Sequence, residues 1–147
     1  MIHFSHPQIV LQEVPDEISL ALSISGCRLR CNYCHSPFTW DEKFGEQLTD
    51  SRLRILIKQN KYITCVLFYG GEHNSKRLIE LVNIIKQYNL KVALYSGLRL
   101  KQINQKLKSK LNYLKVGPYI AERGALSSKT TNQRMYNLDA KIDITYK

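Results

Sequence analysis

No stretch of this 147-residue chain is long and apolar enough to cross a membrane. The first residues also lack the basic start and apolar core of an export signal. A cytoplasmic protein without a membrane partner is the expectation. Internal repeats and low-complexity tracts are missing too, which argues against solenoids and disordered linkers. Acidic residues are scarce, 12 against 22 Lys and Arg, for a formal net charge of +10. Much of that excess (Arg52, Arg54, Lys58, Lys61, Lys101, Lys106, Lys108 and Lys110) falls on expected helix faces. It reads first as solvated surface, with the capacity to steer an acidic partner. Neither a nucleic-acid motif nor an aromatic platform accompanies it, so nucleic acid is not the expected partner. An acid–base pair or activated nucleophile of recognisable spacing is also lacking, so the chemistry has to be sought elsewhere.

It is found in the cysteines. Of four, Cys27, Cys31 and Cys34 lie within eight residues with the spacing C-x3-C-x2-C. Such crowding is poor geometry for a disulfide framework and good geometry for metal. Three soft thiolates suit zinc or an iron–sulfur cluster. A structural zinc takes four protein ligands. His35 adjoins Cys34 and cannot readily close the same tetrahedron, so His3, His6 or His73 would have to reach in. A four-iron cluster held by three cysteines keeps one iron open to a non-protein ligand. Residues 31–35 also match the C-x-x-C-H haem-attachment sequence, but that reading needs export, leaves Cys27 idle and has only Met1 and Met135 as methionine partners. The fourth cysteine, Cys65, sits in the apolar run Ile63-Thr-Cys-Val-Leu-Phe68 and reads as a buried strand residue.

Along the chain, Ile9-Val-Leu11 open an expected short first strand closed by Pro15, followed by a period-two strand in which Ile18, Leu20, Leu22 and Ile24 form one apolar face. Asp50 or Ser51 would cap a helix carrying Leu53, Leu56 and Ile57. The run 65–69 suits a strand buried on both faces and ends at Gly70-Gly71-Glu72. Leu78, Leu81, Val82 and Ile85 mark an amphipathic helix, 91–95 a strand, and Leu100, Ile103 and Leu107 a third helix. Residues 111–116 form a further strand, 127–132 a polar loop, and 141–146 a last short strand. Strand–helix alternation implies parallel neighbours joined by crossovers. The expected fold is α/β: one domain over residues 1–147, an incomplete parallel β/α barrel of about five to six strands. The loops at 26–35, 70–73, 96–98 and 117–119 all follow strands and should gather on one rim.

On that rim, Gly70 and Gly71 permit close approach to a ligand, and Glu72 can accept from an ammonium group; paired glycines alone mark only a turn. Tyr33 can pack on a cluster or an adenine, or in the core. Tyr95-Ser96-Gly97 carries the same ambiguity.

Cys27, Cys31 and Cys34, with an aromatic before the third, resemble the radical S-adenosylmethionine signature. The longer string 25–37, Ser-Gly-Cys-Arg-Leu-Arg-Cys-Asn-Tyr-Cys-His-Ser-Pro, together with Trp40, is similar to the small activating enzymes of anaerobic ribonucleoside-triphosphate reductase. Gly70-Gly71-Glu72 falls where that family binds the cofactor's amino group. Residues 94–97, 115–119 and 131–134 resemble its later segments. His73 departs from the proline that many relatives carry after the triplet. The resemblance implies a [4Fe-4S] cluster on Cys27, Cys31 and Cys34 whose open iron takes S-adenosylmethionine. Tyr33, Cys34, His35, Gly70, Gly71, Glu72 and Ser96 would line the cofactor pocket. It further implies flavodoxin or ferredoxin as electron donor, a 5′-deoxyadenosyl radical, and hydrogen abstraction from a glycine of the large reductase subunit. An activase for another glycyl-radical enzyme, such as pyruvate formate-lyase, is the nearest alternative. A zinc-stabilised nucleic-acid-binding module is the alternative from a different class.

Overall fold

The computed structural model describes residues 1–28 and 37–145. Its strands are β1 (His3–Val10), β2 (Ser19–Ile24), β3 (Glu46–Gln47), β4 (Cys65–Tyr69), β5 (Lys91–Tyr95), β6 (Tyr113–Val116), β7 (Arg134–Asn137) and β8 (Ile142–Asp143). The helices are α1 (Asp50–Gln59), α2 (Ser75–Lys86) and the single turn α3 (Gln105–Lys108). Among the described residues, these eight strands join one sheet in the order β3-β1-β2-β4-β5-β6-β7-β8. β2, β4, β5 and β6 pair in parallel. The flanking pairs, β3 with β1, β1 with β2, β6 with β7 and β7 with β8, are antiparallel.

The expected partial barrel is therefore corrected. Its parallel centre is present, but four of the seven pairings are antiparallel and the order is linear. The flanks escape a period-two search for physical reasons. β1 contains Pro7 and a register shift between Ser5 and Gln8, and β7, Arg-Met-Tyr-Asn, has no alternation to detect.

Both faces of the parallel centre are covered. Leu20, Leu22, Val66, Phe68, Val92, Leu94 and Leu114 pack on the helix side against Leu53, Leu56, Leu78, Leu81 and Ile85. Ala21, Cys65, Leu67, Ala93, Tyr95, Tyr113 and Met135 cluster on the other face. β2 was expected to bury one face, yet all six of its residues are buried. Its second row is Ser19, Ala21 and Ser23, small side chains that spare volume on the inner face.

Caps set the helix limits. Thr49, rather than Asp50 or Ser51, caps α1: its side chain accepts from Arg52 N at 3.0 Å. Asn74 caps α2 in the same way through Arg77 N. The expected third helix is broken, because Ile103 is extended and Asn104 starts a new cap by accepting from Leu107 N at 3.0 Å. Strand β6 starts at Tyr113 instead of Leu111; just before it, Asn112 Oδ1 accepts from Val92 N at 2.8 Å. Residues 127–132 form no helix or strand, as expected. No helix among the described residues is long and apolar enough to cross a membrane.

Candidate active site

The carboxyl ends of the parallel strands are stitched edge to edge. Gly70 N donates to Tyr95 O at 2.9 Å, Ser96 N to Lys115 O at 2.8 Å, and Gly117 N to Leu98 O at 2.7 Å. These bonds carry the sheet ladder past the last paired residues and hold three loops on one rim, where sites in parallel α/β sheets form.

The cysteine loop opens on the same rim. Gly26, at φ +99°, leaves β2 in a conformation that favours glycine. Thr39 O then accepts from both Gly26 N (2.6 Å) and Cys27 N (2.9 Å), and Ser25 Oγ donates to Phe44 O at 2.7 Å. The chain leaving the loop is thus fastened to the chain entering it. Cys27 is half-buried at this junction. Cys31, Tyr33, Cys34 and His35 lie outside the described residues.

Gly70 (φ +86°) and Gly71 (φ +107°) both occupy the left-handed region, and a Cβ on Gly71 would stand 3.4 Å from both Ile24 Cγ2 and Leu78 Cδ1. That double turn aims Glu72 inward. Its Oε2 is buried with no hydrogen-bond partner among the described residues. Burial pushes the Glu72 carboxyl above the usual carboxylate range, opposed in part by its own backbone N–H and by the Ser96 hydroxyl. Ser96 is itself buried, and its Oγ accepts from Leu98 N at 3.0 Å. A buried, unpartnered carboxylate oxygen costs about 1–3 kcal/mol if nothing arrives to donate to it.

His73 meets the cysteine loop directly: a Cβ on Gly26 would come 2.8 Å from His73 Nε2. The imidazole fills space that only glycine leaves. Burial, and secondarily the Arg28 charge, hold its pKa below the usual histidine value, with Glu42 opposing.

Sequence reasoning missed the inner-face row that underlies this rim. Register places Ser23, Tyr69, Tyr95, Lys115 and Met135 side by side across β2, β4, β5, β6 and β7. Tyr69 and Tyr95 meet edge to face with centroids 5.7 Å apart, and the Tyr95 hydroxyl donates to Glu13 O. Lys115 Nζ lies 4.8 Å from the Tyr95 ring centroid. Burial lowers the Lys115 pKa, with the Glu13 charge opposing, and no salt bridge pairs it among the described residues. The available signal was a lysine between Leu114 and Val116 in an otherwise apolar strand. Cys65, by contrast, is the inert core thiol expected: fully buried, its pKa pushed up to about 12 by burial.

The late segments also converge. Asn132 Nδ2 donates to Pro118 O at 3.0 Å and Gln133 Nε2 to Gly117 O at 3.3 Å, so residues 131–134 latch onto the loop after β6.

A half-buried cysteine, two left-handed glycine turns and a buried carboxylate oxygen with no hydrogen-bond partner among the described residues thus share one rim. The family model of the 4Fe-4S single cluster domain matches residues 18–138, and the chain belongs to that family. Among curated proteins, the pyruvate formate-lyase-activating enzyme of Clostridium pasteurianum is 32% identical over 84 residues, 52% of this chain and 35% of that enzyme. The chain thus spans about a third of that relative's length. No solved structure matches the chain.

The residues present fit the implied groups. Cys27 is a soft donor at a constrained junction, and the Glu72 carboxyl keeps one buried oxygen with no hydrogen-bond partner among the described residues.

Proposed function

We propose that this chain is a radical S-adenosylmethionine activase that installs a glycyl radical on the large subunit of anaerobic ribonucleoside-triphosphate reductase. The observation that carries the proposal is the unpartnered Glu72 carboxylate oxygen, buried on the rim that also carries Cys27. Cys27, Cys31 and Cys34 hold the cluster. Glu72, with the Gly70-Gly71 turn, accepts the cofactor's ammonium, and Ser96 orients the carboxylate. Tyr33 and His35 belong to the same pocket. Lys115, desolvated above Tyr95, offers a cation to an anionic group on the inner face. When bound, the cluster and S-adenosylmethionine supply one-electron cleavage of the sulfonium to methionine and a 5′-deoxyadenosyl radical. The chain's own work is to bind, orient and exclude water, so no protein acid or base is required. The reductant is flavodoxin or ferredoxin.

The reductase is favoured over other glycyl-radical enzymes by the resemblance of residues 115–119 and 131–134 to segments of its activases, and these two segments hydrogen-bond to one another. The matched relative favours pyruvate formate-lyase as the second reading. Anaerobic incubation with S-adenosylmethionine, reductant and each candidate target separates them. A glycyl-radical resonance on the reductase subunit alone is expected, and a signal on pyruvate formate-lyase alone would overturn the assignment.

A further inference from the structure

Two amide side chains are only half used at the β7 end of the rim. Asn132 Nδ2 donates to Pro118 O at 3.0 Å and Gln133 Nε2 to Gly117 O at 3.3 Å. Their oxygens, Asn132 Oδ1 and Gln133 Oε1, are buried with no hydrogen-bond partner among the described residues. Gln133 is only 6% exposed. Reversing either amide would set its oxygen against a carbonyl oxygen, so the network fixes which atom is left over. Buried acceptors without donors are uncommon in folded chains and destabilise them. Two on consecutive residues call for a ligand that donates.

The surrounding backbone holds these amides still. Thr131 Oγ1 accepts from Gln133 N at 3.0 Å in the turn that leads into β7. Gly117, at φ +106°, lets that turn pack closely, since a Cβ there would stand 3.2 Å from both Asn132 O and Gln133 Cα. A run of hydrogen bonds then crosses the rim. Gln133 Nε2 donates to Gly117 O, Gly117 N to Leu98 O, and Leu98 N to Ser96 Oγ. Ser96 is the hydroxyl that acts on the Glu72 carboxyl. The two free oxygens therefore keep a fixed relation to the carboxylate proposed to hold the cofactor.

Chemistry and position indicate the ligand. Both acceptors are neutral amide oxygens, which suit neutral N–H donors. They stand at the end of β7, which follows β2, β4, β5 and β6 in the sheet order. At ordinary strand spacing that is about 14 Å along the sheet from the end of β4 and about 19 Å from the end of β2. Glu72 and Cys27 sit at those two ends, so the cofactor is held on the opposite side of the rim. The side that carries Asn132 and Gln133 is left to receive the target. A glycine has no side chain to recognise, so it is gripped through main-chain groups, and a main-chain N–H is the donor these oxygens match.

We propose that Asn132 Oδ1 and Gln133 Oε1 accept hydrogen bonds from main-chain N–H groups of the target's glycine segment and hold that segment at the site. This rests on the reading of the chain as a glycyl-radical activase and names the residues that grip its target.

The test uses the full chain, anaerobically loaded with iron and sulfide. The probe is a synthetic peptide carrying the glycine segment of the reductase's large subunit. In further peptides one amide at a time, at the glycine or at either neighbour, becomes an ester, which removes a single N–H and keeps the shape. Calorimetry with S-adenosylmethionine present and no reductant gives each affinity. At least one ester should bind the parent chain about fivefold more weakly, or worse. In Asn132→Ala and in Gln133→Leu that penalty should shrink or vanish, because its acceptor is gone. Asn132 is half-buried, so its alanine variant is the milder change, and the ester series on the parent chain needs no variant at all. Parent affinity indifferent to every ester overturns the proposal, and so does a penalty that both variants retain in full. Weaker S-adenosylmethionine binding by the variants without peptide also overturns it, because the oxygens would then serve the cofactor. A loaded parent chain that forms no glycyl radical on the intact subunit overturns the activase reading instead.

Discussion

A Cys27→Ala chain is expected to keep its fold and to lose the proposed S-adenosylmethionine cleavage. The fold survives because the backbone anchors this position: Cys27 N donates to Thr39 O, and so does Gly26 N. Alanine retains both bonds, and the half-buried thiol contributes little core. Chemistry should fail because the two remaining thiolates cannot hold the proposed three-cysteine cluster. Mutating only the outer shell of a metal site typically costs about 10–100-fold in affinity or activity, so removal of a ligand should exceed about 100-fold. Iron content after anaerobic loading, the melting temperature of the unloaded chain and the yield of 5′-deoxyadenosine check the three parts separately. Cleavage retained in this variant would defeat the ligand assignment. Cys65→Ala is the matched control, since that thiol is buried in the core, and it should cost stability without costing cleavage.

Glu72→Gln should separate binding from stability, moving them in opposite directions. A charged hydrogen bond contributes about 1.5–3 kcal/mol, so loss of the carboxylate should weaken S-adenosylmethionine binding about ten- to a hundredfold. Without the cofactor, the same charge is a burden. Burial raises the Glu72 carboxyl pKa in the folded chain, so the folded state binds the proton more tightly than the unfolded state does. Stability therefore falls as pH rises from the ordinary carboxylate value of 4.5 through the raised pKa, and stays lower above it. Glutamine removes that loss. The unloaded variant should melt higher than the parent at neutral pH, and the advantage should vanish below the unfolded pKa. For the parent, cofactor affinity should fall on acidification at a higher pH than an ordinary carboxylate would give. Equilibrium dialysis and thermal melts across pH measure both. Equal affinity in parent and variant would remove Glu72 from the ammonium site.

The parallel centre was legible because its strands and helices obey their periods. β4 and β5 fall at the expected residues, and α2 buries the expected Leu78, Leu81, Val82 and Ile85. The segments that open after β2, β4, β5 and β6 start from one rim because these strands are parallel neighbours. What lay beyond the sequence was cross-strand. That Tyr69, Tyr95 and Lys115 form one row depends on register between segments distant in sequence, which local patterning does not encode. The departure at His73 could be noticed in the sequence, but not that its imidazole would settle over Gly26. The antiparallel flanks were hidden by Pro7, by the bulge and by the shortness of β3 and β8.

The central claim is a cluster with one iron open to S-adenosylmethionine. Electron paramagnetic resonance of the anaerobically loaded, dithionite-reduced chain, recorded with and without S-adenosylmethionine, tests it most directly. A reduced-cluster signal whose line shape changes when the cofactor is added is the expected result. A signal indifferent to the cofactor, or no cluster signal with zinc found in its place, would contradict it.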